Sequence, residues 1–156
     1  MALGELINEE TGTVTGVRVL PATAEGANYE VCLQAEGNLR GTNYVTNWTY
    51  IQVERTDGTI HGHGDGVCKT ECGQTLYLKG AGSAKAVTED GIVRYRVINH
   101  WHTKSEKFAD LNGAAMAGEY DVNPDGTTIA KMWILCLLYT SPRPRDATLS
   151  RMQSTA

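Results

Sequence analysis

The chain has 156 residues, 41% of them apolar and 21% charged, with 14 Lys and Arg against 18 Asp and Glu for a formal net charge of -4. That length suits one domain able to bury roughly two-thirds of its unfolded surface without disulfides or metal, and the lack of a basic excess argues against nucleic acid as a partner. No apolar run approaches the ~20 residues of a membrane span, and Met1 to Thr11 lacks a basic stretch followed by an apolar one, so a cytoplasmic protein with no membrane partner is expected. Cys32, Cys68, Cys72 and Cys136 are then expected as free, mostly buried thiols, because Cys68 and Cys72 have no second pair to complete a zinc site.

In chain order, the first predicted strand is Thr13 to Leu20, followed by a loop of small residues from Pro21 to Ala27. In the second, Tyr29, Val31, Leu33, Ala35 and Leu39 alternate with Glu30, Cys32, Gln34, Glu36 and Asn38, the period of a strand with one buried and one wet face. Val45 to Glu54 is dense in β-formers and makes the third; its Asn47-Trp48-Thr49 fits a glycosylation sequon but reads as strand. Thr59 to Lys69 is the fourth, Thr75 to Val87 the fifth and Ile92 to Thr103 the sixth. Gly118 to Val122 and Thr127 to Leu135 complete a set of eight.

Asp57-Gly58, Asp90-Gly91 and Asp125-Gly126 stand between strands, and Asp-Gly predicts two-residue type I′ hairpins, in which both central residues have positive φ. Gly62, Gly64 and Gly66, then Gly80 and Gly82, fall at a spacing of two, so each set lies on one strand face. Such rows let a sheet coil tightly or let backbones approach. Before the last hairpin, Ser105 as N-cap, Phe108 and Leu111 at helical spacing and an Asn112-Gly113 stop predict one or two helical turns. Eight antiparallel strands is the number at which a barrel closes around side chains or one small ligand. The expected fold is therefore all-β: an eight-stranded antiparallel up-and-down barrel, residues 1–138, with one short helix.

Residues 139–156 read differently. All 17 glycines precede them, and they carry two of the four prolines and three of the 14 basic residues. This is the composition of a disordered tail. It resembles adapter sequence found at the ends of reading frames assembled from environmental DNA, so the stretch is expected to be non-native.

Five motifs in order carry a resemblance: Leu3 to Leu6 with Glu9, Thr15 to Leu20, Asp57 to Gly66, Ser105 to Gly113, and Ala117 to Val122. On these the chain resembles the allene oxide cyclase barrel superfamily, and more closely small uncharacterised bacterial proteins of that type. The resemblance implies an eight-stranded antiparallel barrel and a homo-oligomer, as is common in the superfamily. It carries no catalytic residue onto this sequence.

Several constellations bear on function. All four histidines form His-x-His pairs, His61/His63 and His100/His102, each on one strand face, an arrangement that can hold a metal. His100 and His102 share a face with Arg94 and Arg96 and are expected in solvent, whereas His61 and His63 fit either a polar lumen or the exterior. No metal and no cofactor are expected. The carboxylates Glu5, Glu9, Glu10, Glu30, Glu36, Glu119 and Asp121 read as solvated. Trp48, Tyr50, Tyr77, Tyr95 and Trp101, from strands three, five and six, are the candidate wall of a lumen for a small apolar molecule. That lumen suits a cyclase or isomerase that acts by positioning; the rivals are a non-catalytic structural or binding barrel and a metal-dependent enzyme using His61 and His63. A measured cavity separates the lumen from the filled barrel, since an interior void of a few hundred Å3 is expected for a ligand site.

Overall fold

The computed structural model describes residues 2–136, and the expected tail lies outside them. Eight antiparallel strands close in sequence order, β1-β2-β3-β4-β5-β6-β7-β8, as the alternation and turn spacing predict. Their spans are β1 Ala2–Thr23, β2 Gly26–Leu39, β3 Thr42–Arg55, β4 Ile60–Thr70, β5 Thr75–Ala84, β6 Val93–Thr103, β7 Ala115–Val122 and β8 Thr127–Cys136. Among the described residues no helix is long and apolar enough to cross a membrane.

β1 is longer than its sequence suggests, because its first half closes the barrel against β8, from Ala2 opposite Cys136 to Thr13 opposite Thr127. Register shifts beside Leu6 let consecutive Ile7 and Asn8 both be buried, which hides the period-two pattern. Beyond Thr13, β1 pairs with β2 alone, down to Thr23 opposite Gly26. The expected loop from Pro21 to Ala27 is thus mostly strand. Pro21 is tolerated there because it sits at a register shift on a strand edge, where a missing N–H breaks no ladder, and its carbonyl accepts from Asn28 Nδ2 at 3.1 Å.

The Asp-Gly turns differ from the expected type. Gly58, Gly91 and Gly126 have φ of 84°, 78° and 85°, while Asp57, Asp90 and Asp125 do not have positive φ. Gly58 N donates to Arg55 O and Arg55 N to Thr59 O, with the same pattern at Thr70 to Gln74, Thr88 to Ile92 and Asn123 to Thr127. Each is a type I turn closed by a left-handed glycine, the three-residue hairpin with a bulge. Asp57 Oδ1 accepts from Thr59 N and Oγ1, and Asp125 Oδ1 from Thr127 N and Oγ1, which fixes the turn. Two positive φ angles in succession occur instead at Arg40 (48°) and Gly41 (86°), between Leu39 and Thr42.

A 3-10 helix, Glu106–Leu111, follows β6 and buries Phe108 and Leu111. They pack with Ile7, Leu39, Tyr44, Cys68, Leu76 and Met116, so the helix plugs one end of the barrel. Ser105 is the N-cap by position, but its hydroxyl makes no capping bond. Asn112 does the fastening instead: its Oδ1 accepts from Thr103 N at 2.8 Å and its Nδ2 donates to Thr103 O at 2.9 Å. A second, smaller cluster of Ile60, Ala84 and Tyr95 packs with Val93, Tyr120 and Val122.

Candidate functional site

Between these clusters the interior is shaped by unequal side chains. Tyr44, Thr46, Trp48 and Tyr50 alternate along β3 on the lumen side, opposite Thr70, Cys68, Gly66 and Gly64 of β4. A Cβ at Gly66 would lie 2.5 Å from the Trp48 ring, and one at Gly64 only 2.2 Å from Thr49 O. The glycine rows therefore do what their spacing suggests, bringing backbones together and clearing space for large neighbours. Gly62 is the exception: its Cβ would meet nothing nearer than 3.6 Å.

The result is a cavity of about 80 Å3 lined by Trp48, Tyr50, Tyr95 and Trp101, with Tyr120, Leu78 and Met132. Four of the five aromatic residues singled out above thus come together. Tyr77 does not: it is 57% exposed on the outer face, because it alternates with the inward Leu76 and Leu78. Trp48 and Tyr50 point inward yet stay half-buried, so solvent reaches the lumen. Tyr120 stacks on Tyr95 at 5.6 Å and meets Tyr50 edge-on at 6.3 Å. Tyr95 Oη donates to Gln52 Oε1 at 2.8 Å, and burial raises the pKa of all three phenols. They stay protonated at neutral pH and act as hydrogen-bonding groups.

One lining residue was read differently from sequence. Glu10, grouped with the solvated carboxylates, faces the cavity. Tyr44 Oη donates to its Oε2 at 2.9 Å, Thr46 Oγ1 approaches the same oxygen at 3.5 Å, and Asn8 Nδ2 donates to Tyr44 Oη at 2.7 Å. Burial is the largest influence on this carboxyl and raises its pKa against the two hydroxyl donors, which lower it. The signal was present in Glu9-Glu10: adjacent residues of a strand point to opposite faces, so once this segment is a strand one of them must face inward. Glu9 is the outer one, paired with Lys131 at 2.6 Å. The other carboxylates are external as expected, with Glu5 on Arg40, Glu30 on Arg18, and Glu119 and Asp121 beside Arg96.

The histidine pairs are also external. His63, His100 and His102 are exposed and His61 is half-buried. The His61 and His63 rings are 6.2 Å apart, and His61 Nδ1 is 3.1 Å from Ser83 Oγ. Among the described residues no group of three or more His, Cys, Asp or Glu stands together. The thiols are free, but fewer are buried than expected: Cys68 is buried, Cys32 half-buried, and Cys72 and Cys136 exposed. Burial pushes the Cys68 thiol up to about 12, which makes it inert as a nucleophile at neutral pH.

Fold and cavity together define a closed eight-stranded antiparallel barrel with a small aromatic lumen. No family model matches the chain, and no curated protein matches it. Solved structures do match. A conserved protein of unknown function from Rhodopseudomonas palustris has a TM-score of 0.73 and 14% identity over 86% of this chain and 99% of its own. A protein of unknown function from Clostridium acetobutylicum has a TM-score of 0.76 and 14% identity over 87% and 100%. A β-barrel-like protein from Acinetobacter baumannii has a TM-score of 0.73 and 15% identity over 86% and 96%. At this identity the likeness is one of fold.

Proposed function

We propose that this barrel is a small-molecule-binding protein whose ligand sits in the lumen among Trp48, Tyr50, Tyr95 and Trp101. The observation that carries this reading is a solvent-reached interior cavity with aromatic walls and, among the described residues, one carboxyl in its lining, Glu10. Apolar walls with few placed polar groups are the usual composition of a ligand site. The volume of about 80 Å3 falls short of the void expected above for a ligand site, being room for more than one water and well below a drug-sized pocket. It calls for a ligand of few heavy atoms. Cyclase or isomerase activity by positioning is a finer reading that rests on the allene oxide cyclase resemblance. The same modest volume favours the second reading, a structural barrel whose interior side chains fill.

The test is a lumen-filling substitution. Gly62→Val is the choice, because a Cβ there meets only Ile51 O and the Tyr50 and Tyr95 rings at ordinary contact distance, 3.6 Å or more. A compact ring such as cyclopentanol should bind the native protein saturably at one site per chain and change tryptophan fluorescence. Gly62→Val should keep cooperative unfolding and lose that binding. If the native barrel binds no small ring compound at all, the filled structural barrel is what remains.

A further inference from the structure

Within this lumen reading, we infer that the ligand is a small organic amine, bound as its ammonium cation by Glu10 and Asn8. The two residues are two apart on one face of β1, and both line the cavity. Asn8 is 3% exposed, and its Nδ2 is committed to Tyr44 Oη, whose own proton goes to Glu10 Oε2. That direction follows because an amide Nδ2 can only donate, so Tyr44 Oη accepts from it and donates its own proton to Glu10. It leaves Asn8 Oδ1 buried without a partner. The Glu10 hydrogen bonds all fall on Oε2, so among the described residues Oε1 receives none.

Two acceptors without partners, on residues two apart on one strand face and lining one cavity, favour a donor with more than one proton. An ammonium offers three, a hydroxyl one and a carboxylate none. Charge points the same way: among the described residues no Lys or Arg lines the cavity, Glu10 is its acidic residue, and His63, which also borders it, is exposed to solvent. The aromatic faces of Trp48, Tyr50 and Trp101 add to the preference, since a cation within reach of such a ring is attracted by its quadrupole. Trp101 Nε1 is a donor that also lacks a partner, so it satisfies neither of these acceptors.

The experiment compares three compounds with one ring, cyclopentylamine, cyclopentanol and cyclopentanecarboxylate, by calorimetric titration of the full chain near neutral pH. The amine should bind at least ~10-fold more tightly than the alcohol, the scale of one charge-assisted hydrogen bond, and the carboxylate should not bind. Glu10→Gln, nearly isosteric and still able to accept from Tyr44, should unfold cooperatively and erase the preference for the amine. Gly62→Val should abolish amine binding, which locates it in the lumen. An amine no tighter than the alcohol, a preference that survives Glu10→Gln, or one that survives Gly62→Val would each overturn the inference. Alcohol binding without amine preference sinks this inference alone, whereas no binding by any of the three sinks the lumen reading with it.

Discussion

Glu10 ties the chemistry of the lumen to the stability of the fold. Its pKa is raised chiefly by burial, so the folded state holds this proton more tightly than the unfolded chain does. The favourable contribution is complete below the unfolded carboxylate pKa of about 4.5 and is lost as pH rises towards the folded value. The other titratable groups near it, Tyr44, Tyr120 and Cys68, are themselves raised and do not ionise in that range. Glu10→Gln should therefore exceed the native protein in stability at pH 8, with the difference vanishing towards pH 4. Denaturant midpoints across that range check this, and identical profiles would show that the carboxyl is effectively solvated. The glycines of β4 give a second contrast on one strand face. Gly64→Ala puts a Cβ 2.2 Å from Thr49 O and 2.5 Å from Tyr50 Cα, so backbone must move, at about 1–3 kcal/mol. Gly62→Ala meets nothing nearer than 3.6 Å and should be neutral or stabilising by about 0.5 kcal/mol through reduced unfolded-state entropy. Thermal melts of the two variants should separate clearly.

At the scale of elements, the β2–β3 turn joins parts of the barrel distant in sequence. Arg40 has φ of 48°, a left-handed conformation that costs a side chain about 1 kcal/mol. Its guanidinium bridges Glu5 Oε1 and Oε2 at 3.0 and 3.1 Å and Asp110 at 2.6 Å. This links β1, the turn and the 3-10 helix. Arg40→Ala keeps the backbone strain and loses the bridge, whereas Arg40→Asn loses the bridge but suits the left-handed position. The Asn variant should therefore be more stable than the Ala variant by about 0.5–1 kcal/mol, and the reverse order in chemical denaturation would mean that the turn relaxes out of this conformation. The turn chemistry also shows what sequence can localise. Asp57-Gly58, Asp90-Gly91 and Asp125-Gly126 mark where hairpins fall, since glycine takes the left-handed position in either turn type. Which type forms depends on cross-strand register, which the dipeptide does not encode.

For the whole molecule, closure depends on the two chain-distant strands. The β1–β8 ladder from Ala2 to Thr13 is what turns an eight-stranded sheet into a barrel. Deleting residues 2–12 should abolish cooperative unfolding, whereas truncation after Leu138 leaves that ladder whole and should barely move the midpoint. A large shift on truncation would show that the barrel draws stability from beyond β8. The sequence by itself determined the all-β class, the strand count, the hairpin positions, the helical plug and an aromatic wall from β3 and β6. Those features are written locally, in a period of two, in turn residues and in cap spacing. Tertiary structure alone decided that β1 begins at Ala2, that Tyr77 faces outward while Glu10 faces inward, and that the His61/His63 pair, unlike His100 and His102, whose exposure was legible, lies outside and not in the lumen. A face becomes inner or outer only when the sheet closes, and bulges in β1 shift the alternation that would have announced it. The lumen's size was undetermined for the same reason, since it is the space left when large side chains of one strand lean over the glycines of the next.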